Sequence, residues 1–357
     1  MNLLQLAHDP VKAARAARLV YLNDTAPGIT RQRNGDHFTY FDQRGNKLND
    51  PETLDRIRSM TLPPVWDKVW ISPKANSHLQ ATGVDTKNRK QYRYHAQWNA
   101  IRSETKFFRM EAFGQALPLL RARLAKDLKR PALSQEKVIA IALSVMEQTL
   151  IRVGNAAYEK EYGSYGLTTL KDRHVKLEGR DIRFAFKGKK GIAHDITLHD
   201  HRLARLVKNC RDIPGKELFQ YIDQNGDRHP IDSGMVNDYL HETMGEDFSA
   251  KDFRTWAGTV NALRLLIELE PCDTEKELKK NVNTVLDEVS HKLGNTRTVC
   301  RKHYVYPQIL EAYECQDLNP YIKQKNLFRK TSPNGLDGVE KLLLKFLKDQ
   351  VKNGVKK

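Results

Sequence analysis

Long apolar runs are missing from this 357-residue chain. The best candidate, LLLKFL from Leu342 to Leu347, is broken by Lys345. It falls far short of the ~20 apolar residues a membrane-spanning helix needs, so no membrane partner is expected. Cysteine is scarce: Cys210, Cys272, Cys300 and Cys315 stand singly, with no CxxC pair. That pattern excludes the usual zinc frameworks and disulfide scaffolds and fits a reducing, cytoplasmic setting. The phosphate-cradling run GxxxxGK followed by Ser or Thr is absent, which argues against a nucleotide-driven motor. The opening MNLLQLAHDPVKAARAA has no basic start followed by a sustained apolar core, so an export signal is not expected.

Positive charge is what the chain has in excess. Sixty Lys and Arg against 44 Asp and Glu leave a formal charge of +16. Such a surplus points to a polyanionic partner, because phosphate neutralisation releases counterions. From Tyr321 onward, ten basic residues face three acids. Leu343, Leu347 and Val351 recur there at helical spacing, which predicts an amphipathic helix with a basic outer face.

The pattern along the chain changes character. Leu3 to Leu22 reads as a helix rich in Ala and Arg. Between Ile29 and His95 the period suits strands: HFTYFDQ with KL as a hairpin turning at Arg44-Gly45-Asn46, KVWISP, and the pair HLQATG and KQYRYH joined at Asp85 to Asn88. ETLDRIRSM is a short helix. Beyond His95 the reading is mostly helical: Trp98 to Leu128, then a helix opened by Ser134 with Val138, Ile141, Ala142, Val145 and Met146 on one face. Strands return at HVKLEG, DIRFAFKG and AHDITLH, and helices resume at Arg202, Ser233, Phe253 and Lys276. The expected fold is α+β: a small β-rich N-terminal domain (residues 1–97), a larger, mainly α-helical domain with a short antiparallel sheet (98–320), and a basic, part-helical tail (321–357).

Five residues in the second half suggest chemistry: Arg152 in IRVGN, Lys189 in FKGKKG, Arg254 in KDFRTW, Asn295 in LGNT and Tyr304 in CRKHY. Cleaving a phosphodiester without a metal needs a nucleophile, cations on the non-bridging oxygens and a proton donor for the leaving oxygen. A phenol can attack and retain the bond energy in a covalent ester. Arginine offers a planar fork to phosphate and stays charged. Lysine suits the acid role where guanidiniums and burial lower an ammonium pKa. Each residue alone has an ordinary reading as a helix-end cation, an exposed turn lysine, a surface salt-bridge partner, a C-cap or a core aromatic. The ordered set does not.

The run from RVGNAAYEKEYGSYGLTTLKDRHV through FKGKKG and KDFRTWAGT to VSHKLGNTRTVCRKHYVYP closely resembles the bacterial and poxvirus-type DNA topoisomerases IB. PPVWDKVWISP and HLQATGVDTKNRKQYRYH resemble that family's first domain. The likeness spans about Tyr21 to Pro307, with the segments in the expected order. It implies a topoisomerase IB or tyrosine-recombinase-like fold and a monomeric enzyme on double-stranded DNA. The implied reaction needs no ATP, metal or other cofactor and takes place in the cytoplasm at the bacterial nucleoid. Arg152 and Arg254 would clamp the scissile phosphate, and Lys189 would be the general acid, with Lys187 and Lys190 as rivals by proximity. Asn295 stands where many relatives carry histidine. Tyr304 would be the nucleophile, forming a 3′-phosphotyrosyl link while the freed 5′-hydroxyl strand swivels and is then resealed. Tyr306 is its rival: the family's basic pair precedes Tyr304, and on a helix the two lie about 200° apart.

For DNA contacts outside the chemistry, the resemblance implies Gln91, Tyr92 and Tyr94, with Asn155 and Tyr158 following Arg152. Strand alternation is expected to set Tyr92 and Tyr94 on one face and the basic Lys90 and Arg93 on the other. The competing functions are a tyrosine recombinase or integrase and a non-catalytic basic DNA-binding protein. Lys251 stands three residues before Arg254, where recombinases usually carry histidine, and the β-rich first domain replaces their helical arm-binding domain. Passive binding leaves the ordered motifs unexplained.

Overall fold

Alternating apolar residues between Ile29 and Tyr94 build one antiparallel sheet, and the longer helical periods beyond it build a helical body around a second, smaller sheet. The computed structural model describes residues 10–35, 37–86, 90–99, 107, 109–245, 248–269, 272, 274–322 and 334–354. The expected turn at Lys87 and Asn88, the start of the N-terminal helix and residues 100–106 of the expected Trp98 to Leu128 helix lie outside them. The chain divides into two compact units, Met1–Arg109 with Val351–Lys357, and Met110–Gln350.

In the first unit, α1 (Pro10–Ala16) precedes β1 (Ile29–Asn34), β2 (His37–Phe41), α2 (Pro51–Ser59), β3 (Asp67–Ile71), β4 (Leu79–Val84) and β5 (Lys90–Tyr94). The strands order β2-β1-β3-β4-β5. Asp50 caps α2 by accepting from the Thr53 amide at 2.9 Å, and proline opens the helix, where its missing N–H costs nothing. Ile57 and Met60 from the α2 segment bury against Ile29, Val69, Ile71 and Ala81 of the sheet.

Three expectations change here. The N-terminal helix ends at Ala16 rather than running to Leu22, because Val20 bridges to Ser77 and Tyr21 stacks on His78 at 4.1 Å. The expected hairpin turning at Arg44-Gly45-Asn46 forms but is short, with a Phe41–Lys47 bridge and the Leu48 amide on the Tyr40 carbonyl at 2.8 Å, while the longer pairing joins β1 to β2. There the Asp42 carboxylate takes the amides of Arg44 and Asn46 at 2.8 Å each, which stabilises a local turn in place of a longer ladder. Lys90 shares the tyrosine face of β5, its ammonium 5.6 Å from the Tyr92 ring, because a period of two aligns residues 90, 92 and 94. Only Arg93 among the basic pair alternates away.

The second unit opens with α3 (Arg109–Asp127) and α4 (Gln135–Thr149), followed by α5 (Ala156–Tyr162). The sheet β6 (Val175–Glu178), β7 (Asp181–Lys187) and β8 (Ala193–Leu198) is a simple antiparallel meander. Then come α6 (His201–Arg211), a short pair β9 (Gln220–Ile222) and β10 (Arg228–Pro230), α7 (Ser233–Met244), α8 (Ala250–Glu268) and α9 (Glu275–Leu293). Short helices α10 (Arg297–His303), α11 (Pro307–Glu314) and α12 (Asn319–Ile322) lead to α13 (Gly338–Gly354).

The expected single apolar face of α4 is too narrow. Ile139 and Leu143 are buried as fully as Val138 and Ile141, because α6, α7, β8 and β9 surround the helix. The buried face is thus wider than one stripe, with Gln135, Ser144, Glu147 and Gln148 left on the outer side, and each large side chain it buries stabilises the fold by about 1.5–3 kcal/mol.

The last helix is held by more than apolar contact. Leu342, Leu343, Phe346 and Leu347 are buried, and Glu340 takes both terminal nitrogens of Arg121 at 2.8 and 2.9 Å. Glu340 also accepts from the Trp256 indole of α8 at 3.2 Å, so α13 is tied to α3 and α8 together. Among the described residues, no helix is long and apolar enough to cross a membrane.

Candidate active site

Four of the five singled-out residues meet where α4, α8, α9 and α10 end or cross. Arg152 follows the C-terminus of α4. Leu150 caps that helix in the left-handed region (φ 58°), which turns the chain sharply. The RVGN segment then crosses YGLTT, with Leu167 and Thr168 amides bonding the Arg152 and Val153 carbonyls at 2.7 Å each. Only glycine fits the crossing: Gly154 has φ 89°, and a Cβ on Gly166 would stand 2.6 Å from the Arg152 carbonyl oxygen. The Arg152 guanidinium donates to the Gly294 carbonyl at 3.2 Å and to the Asn295 Oδ1.

Arg254 enters from α8 and is only 4% exposed. It donates to the Leu150 carbonyl and, at 2.6 Å, to the Leu293 carbonyl. Those two carbonyls belong to the ends of α4 and α9, where helix carbonyls lack intrahelical partners and carry negative potential. Burial, and then the neighbouring Arg152 charge, push the guanidinium down to about 10. Its carbon stands 5.1 Å from the centre of the Tyr304 ring.

Asn295 follows Gly294, the left-handed cap of α9, and its amide bonds the Ser290 carbonyl at 2.9 Å. The C-cap role therefore falls to Gly294 and leaves the Asn295 side chain for the cluster. With its oxygen turned to Arg152, the Nδ2 donor is buried with no partner among the described residues, and so is Arg254 Nε. An orphaned buried donor costs about 1–3 kcal/mol, so two in one cluster mark a place suited to an acceptor such as a phosphate oxygen.

Tyr304 ends α10 as its C-cap (φ −131°, ψ −19°), and Tyr306 is the N-cap of α11. The two tyrosines are thus separated by a break between helices, and the 200° argument for distinguishing them does not apply. Their surroundings distinguish them instead. Burial alone would raise the Tyr304 phenol, but the charge and hydrogen bond of Arg254, with the charges of Arg152 and Lys251, outweigh it and hold the phenol below its ordinary value. Tyr306 is 4% exposed, and burial pushes its phenol up to about 12.

Lys189 is brought less close. It lies at the tip between β7 and β8, where the Gly188 amide bonds the Ile192 carbonyl at 2.7 Å. It is exposed, with its ammonium 5.8 Å from the Tyr158 ring, so the expected crowding by guanidiniums and partial burial are not features of the chain alone. Lys189 and Arg152 nevertheless line one cavity of about 770 Å³, with Asn155, Tyr158, Lys187 and Lys190 also in its wall. Asn155 caps α5 by accepting from the Ala157 amide at 2.7 Å, and Tyr158 is half exposed one turn on. Gln91, Tyr92 and Tyr94 lie on β5 of the first unit. Gln91 donates to Asp85 at 3.0 Å, and the two tyrosine rings stack 6.0 Å apart.

Sequence reasoning missed Gly258, Thr259 and His194. A Cβ on Gly258 would stand 2.7 Å from the Tyr304 carbonyl oxygen, and Thr259 Oγ1 donates to that oxygen and accepts the Tyr306 amide, both at 3.2 Å. Gly258 had a signal in its helical spacing of four residues from Arg254 within KDFRTWAGT, whereas Thr259, five residues on, had none. His194 offered no such signal, because its neighbours come from two distant turns.

Fold and site together define an α+β protein with a cationic pocket and a phenol held below its ordinary value. Residues 95–329 match the family model of the eukaryotic DNA topoisomerase I catalytic core, and residues 37–85 match that of the bacterial DNA topoisomerase IB N-terminal domain. DNA topoisomerase 1B of Acanthamoeba polyphaga mimivirus is 31% identical over 308 residues, covering 84% of this chain and 91% of the relative. DNA topoisomerase 1B of Vaccinia virus (strain Copenhagen) is 22% identical over 252 residues, covering 69% of this chain and 76% of the relative. DNA topoisomerase 1 beta of Arabidopsis thaliana is 25% identical over 210 residues, covering 58% of this chain and 22% of the relative. The chain belongs to the type IB DNA topoisomerases, a family of isomerases.

Proposed function

We propose that this enzyme relaxes supercoiled duplex DNA by transient cleavage of one strand through Tyr304, acting as a monomer without ATP or metal. The observation that carries the reading is the pairing of a depressed Tyr304 phenol with two orphaned donors, Arg254 Nε and Asn295 Nδ2, in one buried cluster. A scissile phosphate accepts from those donors and from Arg152, so negative charge growing on its non-bridging oxygens is met by preorganised partners.

The Tyr304 oxygen bonds to phosphorus and its proton passes to water, while the bond from phosphorus to the 5′ oxygen breaks. Lys189 gives that oxygen a proton and becomes a neutral amine, leaving a 3′-phosphotyrosyl link and a 5′-hydroxyl end. The free strand swivels, and the hydroxyl then attacks phosphorus, returning its proton to the amine and releasing Tyr304. DNA covering the cavity would take Lys189 out of water, which favours the neutral amine, while the phosphate charge holds the ammonium in place until negative charge grows on the 5′ oxygen. Asn155, Tyr158, Gln91, Tyr92 and Tyr94 contribute backbone contacts, which supply affinity with little sequence choice.

Supercoiled plasmid incubated with the protein in EDTA without ATP tests this. Stepwise relaxation by wild type and by Tyr306→Phe, with none by Tyr304→Phe, is the expected result. Relaxation that persists in Tyr304→Phe and fails in Tyr306→Phe reverses the nucleophile. Binding without relaxation refutes the activity, and joining of two defined sites identifies a recombinase instead.

A further inference from the structure

The hairpin that carries Lys189 is well paired along its strands, but its tip from Lys189 to Ile192 is exposed. Among the described residues, no hydrogen bond or ion pair holds the Lys189 ammonium, and the tip includes Lys190 in the left-handed region (φ 61°). Backbone bonds reach it from one side, where the Tyr165 amide meets the Lys187 carbonyl at 2.8 Å. On the other side stands His194.

His194 pairs with Phe186 across β7 and β8, and its ring stacks on the Phe186 ring at 4.9 Å with an 11° tilt. Held on that apolar support, the imidazole fills the space beside two glycines that are distant in sequence. A Cβ on Gly188 would stand 2.6 Å from its Cδ2 and Nε2, and a Cβ on Gly294 would stand 2.3 Å from its Cε1. Gly188 immediately precedes Lys189, and Gly294 immediately precedes Asn295 and gives its carbonyl to Arg152. One ring therefore touches both the lysine turn and the turn that holds the amide and guanidinium. Burial, and then the charges of Arg152 and Arg254, push the imidazole below its ordinary value, so at neutral pH the ring is uncharged and adds no repulsion to the cluster.

We propose that His194 is a positioning residue: wedged between Gly188 and Gly294, it sets the separation between Lys189 and the phosphate-binding pair Arg152 and Asn295. The proposal rests on the reading of Lys189 as general acid. It assigns His194 no proton transfer and no contact with DNA. Loss of the ring lets the hairpin tip drift, and a misplacement near 1 Å is enough to cost on the order of 100-fold in rate. The defect should concern the acid above all, because the Gly294 turn keeps its own backbone bonds, Gly294 amide to the His291 carbonyl and Asn295 amide to the Ser290 carbonyl, when the ring is lost.

The test compares single-turnover formation of the covalent adduct on a duplex whose cleavage site has been mapped with wild type. The substrate carries either the normal 5′ oxygen or a bridging 5′ sulfur at the scissile phosphate. A thiolate leaves without needing a proton, since thiols ionise near ~8.5, many units below an alcohol. Lys189→Ala is expected to be slow on oxygen and near wild type on sulfur. His194→Ala should show the same pattern, with at least a ~10-fold loss on oxygen largely restored on sulfur. On oxygen, the double variant should be no slower than Lys189→Ala.

Equal losses on oxygen and sulfur would show that His194 serves the whole site, and wild-type rates on both would show that it serves nothing; either overturns the proposal. If Lys189→Ala itself is not restored by sulfur, the acid assignment falls and the proposal with it, a result distinct from failure of His194→Ala alone. Should His194→Ala fail to fold, Gly188→Ala approaches from the other side. Its backbone (φ −90°) admits any residue, and its methyl would strike the ring. The same sulfur-selective defect is expected, and its absence counts against the wedge.

Discussion

Replacing Arg254 with methionine separates what the residue does for the fold from what it does for the reaction. At 4% exposure the guanidinium has lost nearly all of its hydration. Lowering its ionisation from the ordinary guanidinium range to about 10 corresponds to a penalty of roughly 3 kcal/mol on the charged form, at about 1.4 kcal/mol per pH unit. Because the folded value lies below the unfolded one, that penalty is fully present at every pH below about 10, including neutrality. Methionine removes it and fills similar space. Against this, the Leu150 and Leu293 carbonyls lose a donor, at about 1–3 kcal/mol each. The two effects oppose each other at similar size, so Arg254→Met should unfold within about 2 kcal/mol of wild type, a Tm change of no more than about 4–8 °C. Plasmid relaxation should fall by ~100-fold or more, since a preorganised donor at the phosphate is lost. The pH at which adduct formation levels off should also rise, because the main charge lowering the Tyr304 phenol is gone and its burial remains. A destabilisation above about 4 kcal/mol, or relaxation near the wild-type rate, would refute this division of roles.

Other substitutions probe the supports around the cluster. Gly258→Ala adds a methyl 2.7 Å from the Tyr304 carbonyl oxygen. Although alanine favours helix by about 1 kcal/mol, adduct formation should drop ~10-fold or more with little loss of plasmid binding in a filter assay. Asn295→Asp exchanges the orphaned Nδ2 donor for a second acceptor, so cleavage should fall about 100-fold, while Asn295→His, which restores a donor, should stay within ~10-fold. Glu340→Ala strips the half-buried Arg121 of one of its two carboxylate partners and frees the Trp256 indole. It should lower stability by about 2–4 kcal/mol in thermal unfolding, whereas Lys348→Ala on the exposed side of the same helix should change it by less than about 0.5 kcal/mol.

Residue types and local periodicity carried much of this protein's meaning. RVGN, FKGKKG, KDFRTW, LGNT and CRKHY each bear a group suited to phosphate chemistry, and period-two and helical spacing marked β3, β4, β5, α4, α8 and α9. These are short-range properties: a cap, an alternation or a Gly-rich turn acts over a few residues and can be read in place. The misreadings came where a distant partner decides. The N-terminal helix ends early because Tyr21 meets His78, β2 pairs mainly with β1 and only briefly with the later KL, and α4 buries more than one face because four elements pack on it. Tyr304 and Tyr306 could not be separated by helical angle, because their helices break between them. The choice rests on depth and charge, with Arg254 beside one phenol and desolvation around the other. His194 was invisible for the same reason, since a ring lodged between residues 188 and 294 has no signature along the chain. Sequence alone therefore determined which groups are present, the order of their segments and the family they belong to. Only the tertiary structure decided which donors are left without partners, which phenol is lowered and what holds the lysine turn, because burial and charge act through space between residues that the chain separates by tens of positions to well over a hundred.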